Sequence, residues 1–148
     1  NIVMLIISCL FVLGSFDELI MILFELHPAQ LSSGRYVIQQ LAAEEIFYNI
    51  QNYLFLGQGP GFVQVLTKAS FGQDVLLHND LMKLIIEYGA IFFVTFFYLF
   101  YRNIPKDKVL FCVYLNFTFF TDNTLIYAGV LFFFFYFMSL NTTKAEQS

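Results

Sequence analysis

Four stretches of this chain are apolar enough to enter a bilayer, roughly 1–26, 84–101, 109–121 and 124–140, and this pattern limits the fold before any motif is considered. A spanning helix needs about 20 residues, so the run 109–121 must borrow flanking residues or thin the bilayer around it. Asp17, Glu18 and Glu25 interrupt the first stretch. It reads either as one helix ending near Gly14 followed by an interfacial segment, which we favour, or as a truncated pair of helices. Composition agrees with residence in lipid: 59% of the side chains are hydrophobic, 12% are charged, and mean hydropathy is +0.71. The 21 Phe and 9 Tyr exceed what a single core of 148 residues encloses, so most of that area must face lipid.

The chain opens at Asn1 already inside the apolar run Ile2 to Leu13. No basic n-region and no small-residue cleavage site precede Asp17 and Glu18, which argues against a secretory signal. The first stretch is therefore expected to be a transmembrane remnant at the cut end of a longer protein.

Between His27 and Lys83 the composition turns polar, with glutamines, asparagines and clustered glycines, as in an extramembrane loop. Arg102, Lys106 and Lys108 crowd between two apolar runs, whereas the much longer 27–83 loop holds only Arg35, Lys68 and Lys83. The positive-inside rule makes 102–108 cytoplasmic and places 27–83 outside, which in a bacterium with two membranes is the periplasm. The tail 141–148, with Lys144, returns to the cytoplasm. The expected fold is thus an all-α membrane protein of the inner membrane, polytopic, with transmembrane helices over 84–101, 109–121 and 124–140 and one large helical periplasmic loop.

Several chemistries are disfavoured. A formal net charge of -4 lacks the basic excess needed to neutralise a nucleic-acid backbone. Cys9 and Cys112 sit in separate apolar runs, where a thiol acts as a small buried hydrophobe. His27 and His78 are far apart, no HExxH, CxxC or spaced-acid loop exists, and no metal or cofactor is implied. G-x-S-x-G is absent. The Gly57-Gln58-Gly59-Pro60-Gly61 turn fails as a dinucleotide fingerprint, because the third glycine would fall at Phe62 and the helix precedes the turn.

Inside the loop, Ser32-Ser33-Gly34 precede a run free of Gly and Pro from Arg35 to Leu56. Ile38, Ala42, Ile46, Ile50 and Leu54 recur every fourth residue, which predicts a helix lying on the membrane or bundle, although Glu45 spoils the stripe. The helix is expected to stop at the Gly57–Gly61 turn. Asn79 and Asp80 are both good N-caps, and a second helix is expected to run from there without interruption through Tyr101.

His78 then lies at the positive end of a helix dipole, which disfavours imidazolium and leaves a ring able to accept a proton. The same end offers backbone N–H groups to an anion such as a diphosphate. The plainer reading is a loop histidine that only hydrogen bonds at the membrane surface. Arg35 follows a small-residue turn, and its guanidinium fork suits phosphate oxygens. Its plainer reading is an ion pair with Glu44, Glu45 or a lipid headgroup. Lys68 and Lys83 add charge. Glu87 and Asp122 sit near expected helix ends, where snorkelling to water suffices.

Ser33-Gly34-Arg35 opening a helix, the turn Gly57-Gln58-Gly59-Pro60-Gly61-Phe62, and His78-Asn79-Asp80-Leu81 followed by Glu87-Tyr88-Gly89 form an ordered set. In that order they resemble the bacterial O-antigen polymerases and O-antigen ligases, over about Ser32 to Phe100. The resemblance implies glycosyl transfer from an undecaprenyl-diphosphate-linked glycan at the periplasmic face, with no cofactor. It implies that Arg35 holds the diphosphate and His78 is the general base, with Asn79, Asp80, Gly57, Gly59, Gly61 and Lys68 beside the substrate. Implied partners are that lipid-linked glycan, membrane lipid and other polysaccharide-assembly membrane proteins. The family also uses an arginine in an earlier periplasmic loop, absent here, so this piece alone is expected to be inactive. Polymerase and ligase share donor and chemistry. The rival from another class is a transporter or non-catalytic membrane subunit, in which polar groups gather at the bilayer midplane instead of in an outer loop.

Overall fold

The computed structural model describes residues 2–15, 17–25, 35–102, 104–105, 108–122 and 124–139. Every regular element among them is helical, and the all-α expectation holds. The elements are α1 (Ile2–Val12), α2 (Asp17–Phe24), α3 (Arg35–Tyr48), α4 (Ile50–Tyr53), α5 (Phe62–Phe71), α6 (Asp80–Tyr101), α7 (Val109–Thr121), a 3-10 turn (Thr124–Ile126) and α8 (Ala128–Ser139). His27, Ser32, Ser33, Gly34, Lys106 and Lys144 lie outside the described residues.

Helix α3 buries Tyr36, Gln39, Ala42, Ala43 and Ile46, spaced for one helical face. The every-fourth-residue stripe drifts by about 40° per step on a helix of 3.6 residues per turn. Ala42 and Ile46 therefore stay on the buried face, while Ile50 and Leu54 are turned outward and exposed. The helix ends earlier than expected, at Tyr48. Glu45, the residue that spoils the stripe, accepts a hydrogen bond at 2.6 Å from the hydroxyl of buried Tyr53. Burial and then that carboxylate raise the Tyr53 phenol, which keeps it a donor. Tyr36 donates in the same way to Asp17 and so ties α3 to α2.

Helix α5 was not expected. Its signal is the pair of flanking glycines: Gly61 precedes it, and Gly72 closes it with φ +70 and an N–H bonded to the Lys68 carbonyl at 2.9 Å.

Helix α6 is the centre of the molecule and packs on α1, α3, α4, α5 and α7. Asn79 caps it, its Oδ1 accepting from the Met82 N–H at 3.0 Å. The first half buries Asp80, Leu81, Met82, Leu84, Ile85, Ile86 and Glu87, so it is a core helix on nearly every face. The second half shows Ile91, Phe92, Val94, Tyr98 and Leu99 to the outside. The expected uninterrupted helix is broken between these halves at Gly89, whose φ 85 and ψ 172 are non-helical. A Cβ there would meet the Phe55 carbonyl oxygen at 2.8 Å. This break is also a latch. A continuous helix would pair the Ile86 and Glu87 carbonyls with the amides of residues 90 and 91. Here those carbonyls accept from Gln58 N–H and Gly59 N–H, both at 2.9 Å.

At 22 residues, α6 is the one described helix long and apolar enough to cross a membrane, and α7 and α8 are shorter apolar helices. Their rings interlock: Phe97 lies 5.7 Å from Phe119, and Phe100 and Phe111 stack on Phe134 at 5.2 and 5.6 Å. Lys108, expected in an open short loop, is buried. Its ammonium donates to the carbonyls of Phe137 and Met138 and lies 4.9 Å from the Phe137 ring centroid, which closes the end of α8.

Candidate functional site

Arg35 and His78 line one open cleft of about 510 Å³, together with Ile38, Gln73, Asp74, Val75 and Leu76. Helix α3 accounts for the arrangement. Arg35 is its first residue, and one turn later Gln39 Nε2 donates at 2.8 Å to the His78 carbonyl. A single helix therefore carries the guanidinium and anchors the main chain beneath the imidazole.

The third member was read in the sequence only as an acid at a helix end. Asp122 Oδ1 lies 3.0 Å from His78 Nδ1, with both side chains partly exposed, at 43% and 24%. A carboxylate at that distance accepts, so Nδ1 carries a proton and Nε2 is the atom left to act on a ligand. Next to Asp122, the Thr121 carbonyl at the end of α7 accepts from Arg35 Nη1 at 3.3 Å. The C-terminus of α7 thus orients both cleft residues. No spacing rule pairs residues 78 and 122; the hint in the sequence is only that a carboxylate directly follows an apolar run.

The other predicted residues fall differently. Asn79 is fully buried with its side chain in the α6 cap, and it does not face the cleft. Asp80 is 1% exposed, and its Oδ2 accepts from the Leu125 N–H at 2.7 Å, fastening the α7–α8 connection to α6. Neither is placed to touch a substrate in the cleft, because capping and burial take up the groups that would do so. Gly57, Gly59 and Gly61 form a packing device instead of an anion cradle. The Gln58 and Gly59 amides serve α6 carbonyls, and the Gly61 amide donates to Glu87 Oε1 at 3.0 Å. Glu87 itself is 3% exposed, buried beneath the turn and not snorkelled to water. Lys68 does not line the cleft; its ammonium lies 3.8 Å from Asp74, which does, and both side chains are well exposed.

Among the described residues, no three of His, Cys, Asp and Glu gather to hold a metal ion. Cys112 is buried in the core and Cys9 is half-buried, and both are free thiols. No protein-family profile matches this chain, and no curated protein or solved structure is significantly similar to it.

The arrangement offers an oriented imidazole, a guanidinium and an open volume between them. A nucleophilic hydroxyl beside His78 Nε2 and an anion beside Arg35 would share the cleft. That is the minimum for transferring a group away from an anionic leaving group.

Proposed function

We propose that this chain carries the glycosyl-transfer site of a bacterial membrane glycan polymerase, which extends a lipid-linked oligosaccharide at the outer face of the inner membrane. In this reading the chain is polytopic, with α6, α7 and α8 in the bilayer and the 27–83 loop in the periplasm. The carrying observation is that Arg35 and His78 share one cleft, with Asp122 on His78 Nδ1. His78 Nε2 takes the proton of the acceptor sugar hydroxyl. The freed oxygen attacks the anomeric carbon of the donor, and the bond to undecaprenyl diphosphate breaks. Arg35 holds the departing diphosphate, whose charge grows in the transition state, so a cation placed there helps the transition state more than the ground state. Lys68 offsets the negative charge of Asp74, a residue of the cleft wall. A ligase that passes the same glycan to another acceptor would use the same three groups. The acceptor alone separates the two enzymes.

Two substitutions in the native gene test this, read by glycan chain length and by the amount of protein in the inner membrane. Arg35→Lys is expected to slow extension about tenfold or more, since an ammonium keeps the charge but loses the fork. Asp122→Asn is expected to slow it about a hundredfold, because an amide no longer enforces the tautomer with Nε2 free. Full-length glycans from both variants at normal protein levels would defeat the proposal.

A further inference from the structure

A second cleft, of about 360 Å³, is bordered by Leu125 of the α7–α8 connection. Lys83 lines it together with Tyr88, Phe92, Phe96 and Leu131. The aromatic wall is ordered: Tyr88 stacks on Phe92 at 4.8 Å, Phe92 on Phe96 at 5.9 Å, and Phe96 on Phe100 at 5.7 Å, as a column along α6. Two carboxylates also border the cleft, and each is buried with one oxygen held by a backbone amide: Asp80 by that of Leu125 and Glu87 by that of Gly61. Lys83 differs from them. Asp80 attracts its ammonium, yet that ammonium donates no hydrogen bond among the described residues. It also lies in the first turn of α6, the end of a helix where a cation is electrostatically disfavoured. Lys83 is only half-buried and precedes the aromatic column along α6, where an anion can reach it.

We propose that this cleft binds an anionic lipid, with Lys83 on the phosphate of the head and the Tyr88–Phe92–Phe96 column along the first part of the hydrocarbon tail. Charge and apolarity are separated along one groove in the sense that an amphiphile requires, and the volume suits a head and the start of a tail. The cleft is distinct from the one holding Arg35 and His78. The proposal rests on the membrane reading of α6 and is independent of glycosyl transfer at His78.

The chain contains no Trp, so one introduced indole reports on the cleft alone. The full chain carrying Phe92→Trp is reconstituted in phosphatidylcholine nanodiscs and titrated with farnesyl diphosphate, inorganic diphosphate, farnesol and phosphatidic acid. Saturable fluorescence change with farnesyl diphosphate is expected, weakened about tenfold by Lys83→Gln, with head or tail alone binding far more weakly. Phosphatidic acid separates the sources of the head: competition at equal strength assigns the cleft to membrane phospholipid, and failure to compete assigns it to a polyprenyl phosphate. A response indifferent to Lys83→Gln, or equal for farnesol, overturns the proposal. Phe96→Trp serves as a second reporter. Lipid co-purifying with the unaltered chain and with Lys83→Gln, compared by mass spectrometry, gives a reading that needs no Trp. Carbonate extraction of the same membranes tests residence separately, so loss of the membrane reading is distinguishable from loss of the cleft.

Discussion

His78→Ala is expected, on the proposed function, to stop glycan extension almost completely and to leave single lipid-linked units in place of a ladder. General-base catalysis by a positioned imidazole is worth about 10²–10⁴ in rate, and the other base lining the cleft, Asp74, is paired with Lys68 at 3.8 Å. The substitution is also clean. Gln39 holds the carbonyl of residue 78, not its ring, so alanine keeps the bond that fixes the main chain. Only a partly exposed side chain and its contact to Asp122 are lost. Gel profiles of the glycan, with membrane protein measured by immunoblot, decide the matter. A normal ladder at normal protein level would take the base role away from His78.

Gly57→Ala is expected to have the largest effect on folding. A Cβ at residue 57 would lie 2.2 Å from the Glu87 carbonyl carbon and 2.3 Å from the Tyr88 nitrogen. These are backbone atoms, which have no rotamer with which to move aside. The turn would have to lift from α6, breaking the Gln58 and Gly59 bonds and the Gly61 bond to Glu87. The expected loss is about 3 kcal/mol or more, in the range reserved for core overpacking together with buried polar groups left unpaired. Gly61→Ala is the matched comparison. Nothing lies within 4 Å of its Cβ position, and only its φ of +86 is penalised, at about 1–2 kcal/mol. Thermal unfolding of the detergent-solubilised chain should separate the two variants clearly. Equal midpoints would show that the turn is not latched to the helix.

Local chemistry made part of this legible from sequence. Asn79 reads as a cap because a short polar side chain before an apolar run has few other uses, and it is one. Arg35 and His78 stand out because cations and imidazoles are scarce in so apolar a chain. What escaped was set by contacts distant in sequence. Gly89, inside Tyr88-Gly89-Ala90, looks like a tolerated helical glycine; only the approach of Phe55 and Leu56 makes it a break. The turn glycines, set beside the substrate by the resemblance, belong to a turn whose amides bond to α6 instead. Asp80 reads as a second candidate cap, and by the resemblance as a residue beside the substrate, until the Leu125 amide is found against it. Asp122 acquires a role only when the return of the chain through α7 sets it beside a ring 44 positions earlier.

The bond from Gln39 to the His78 carbonyl has a mechanical consequence. Arg35 and Gln39 ride on the same helix one turn apart, so α3 behaves as a lever with the guanidinium at its tip and the histidine backbone on its shaft. A shift of α3 would carry the guanidinium and the ring's foothold together, over the span of a single helical turn.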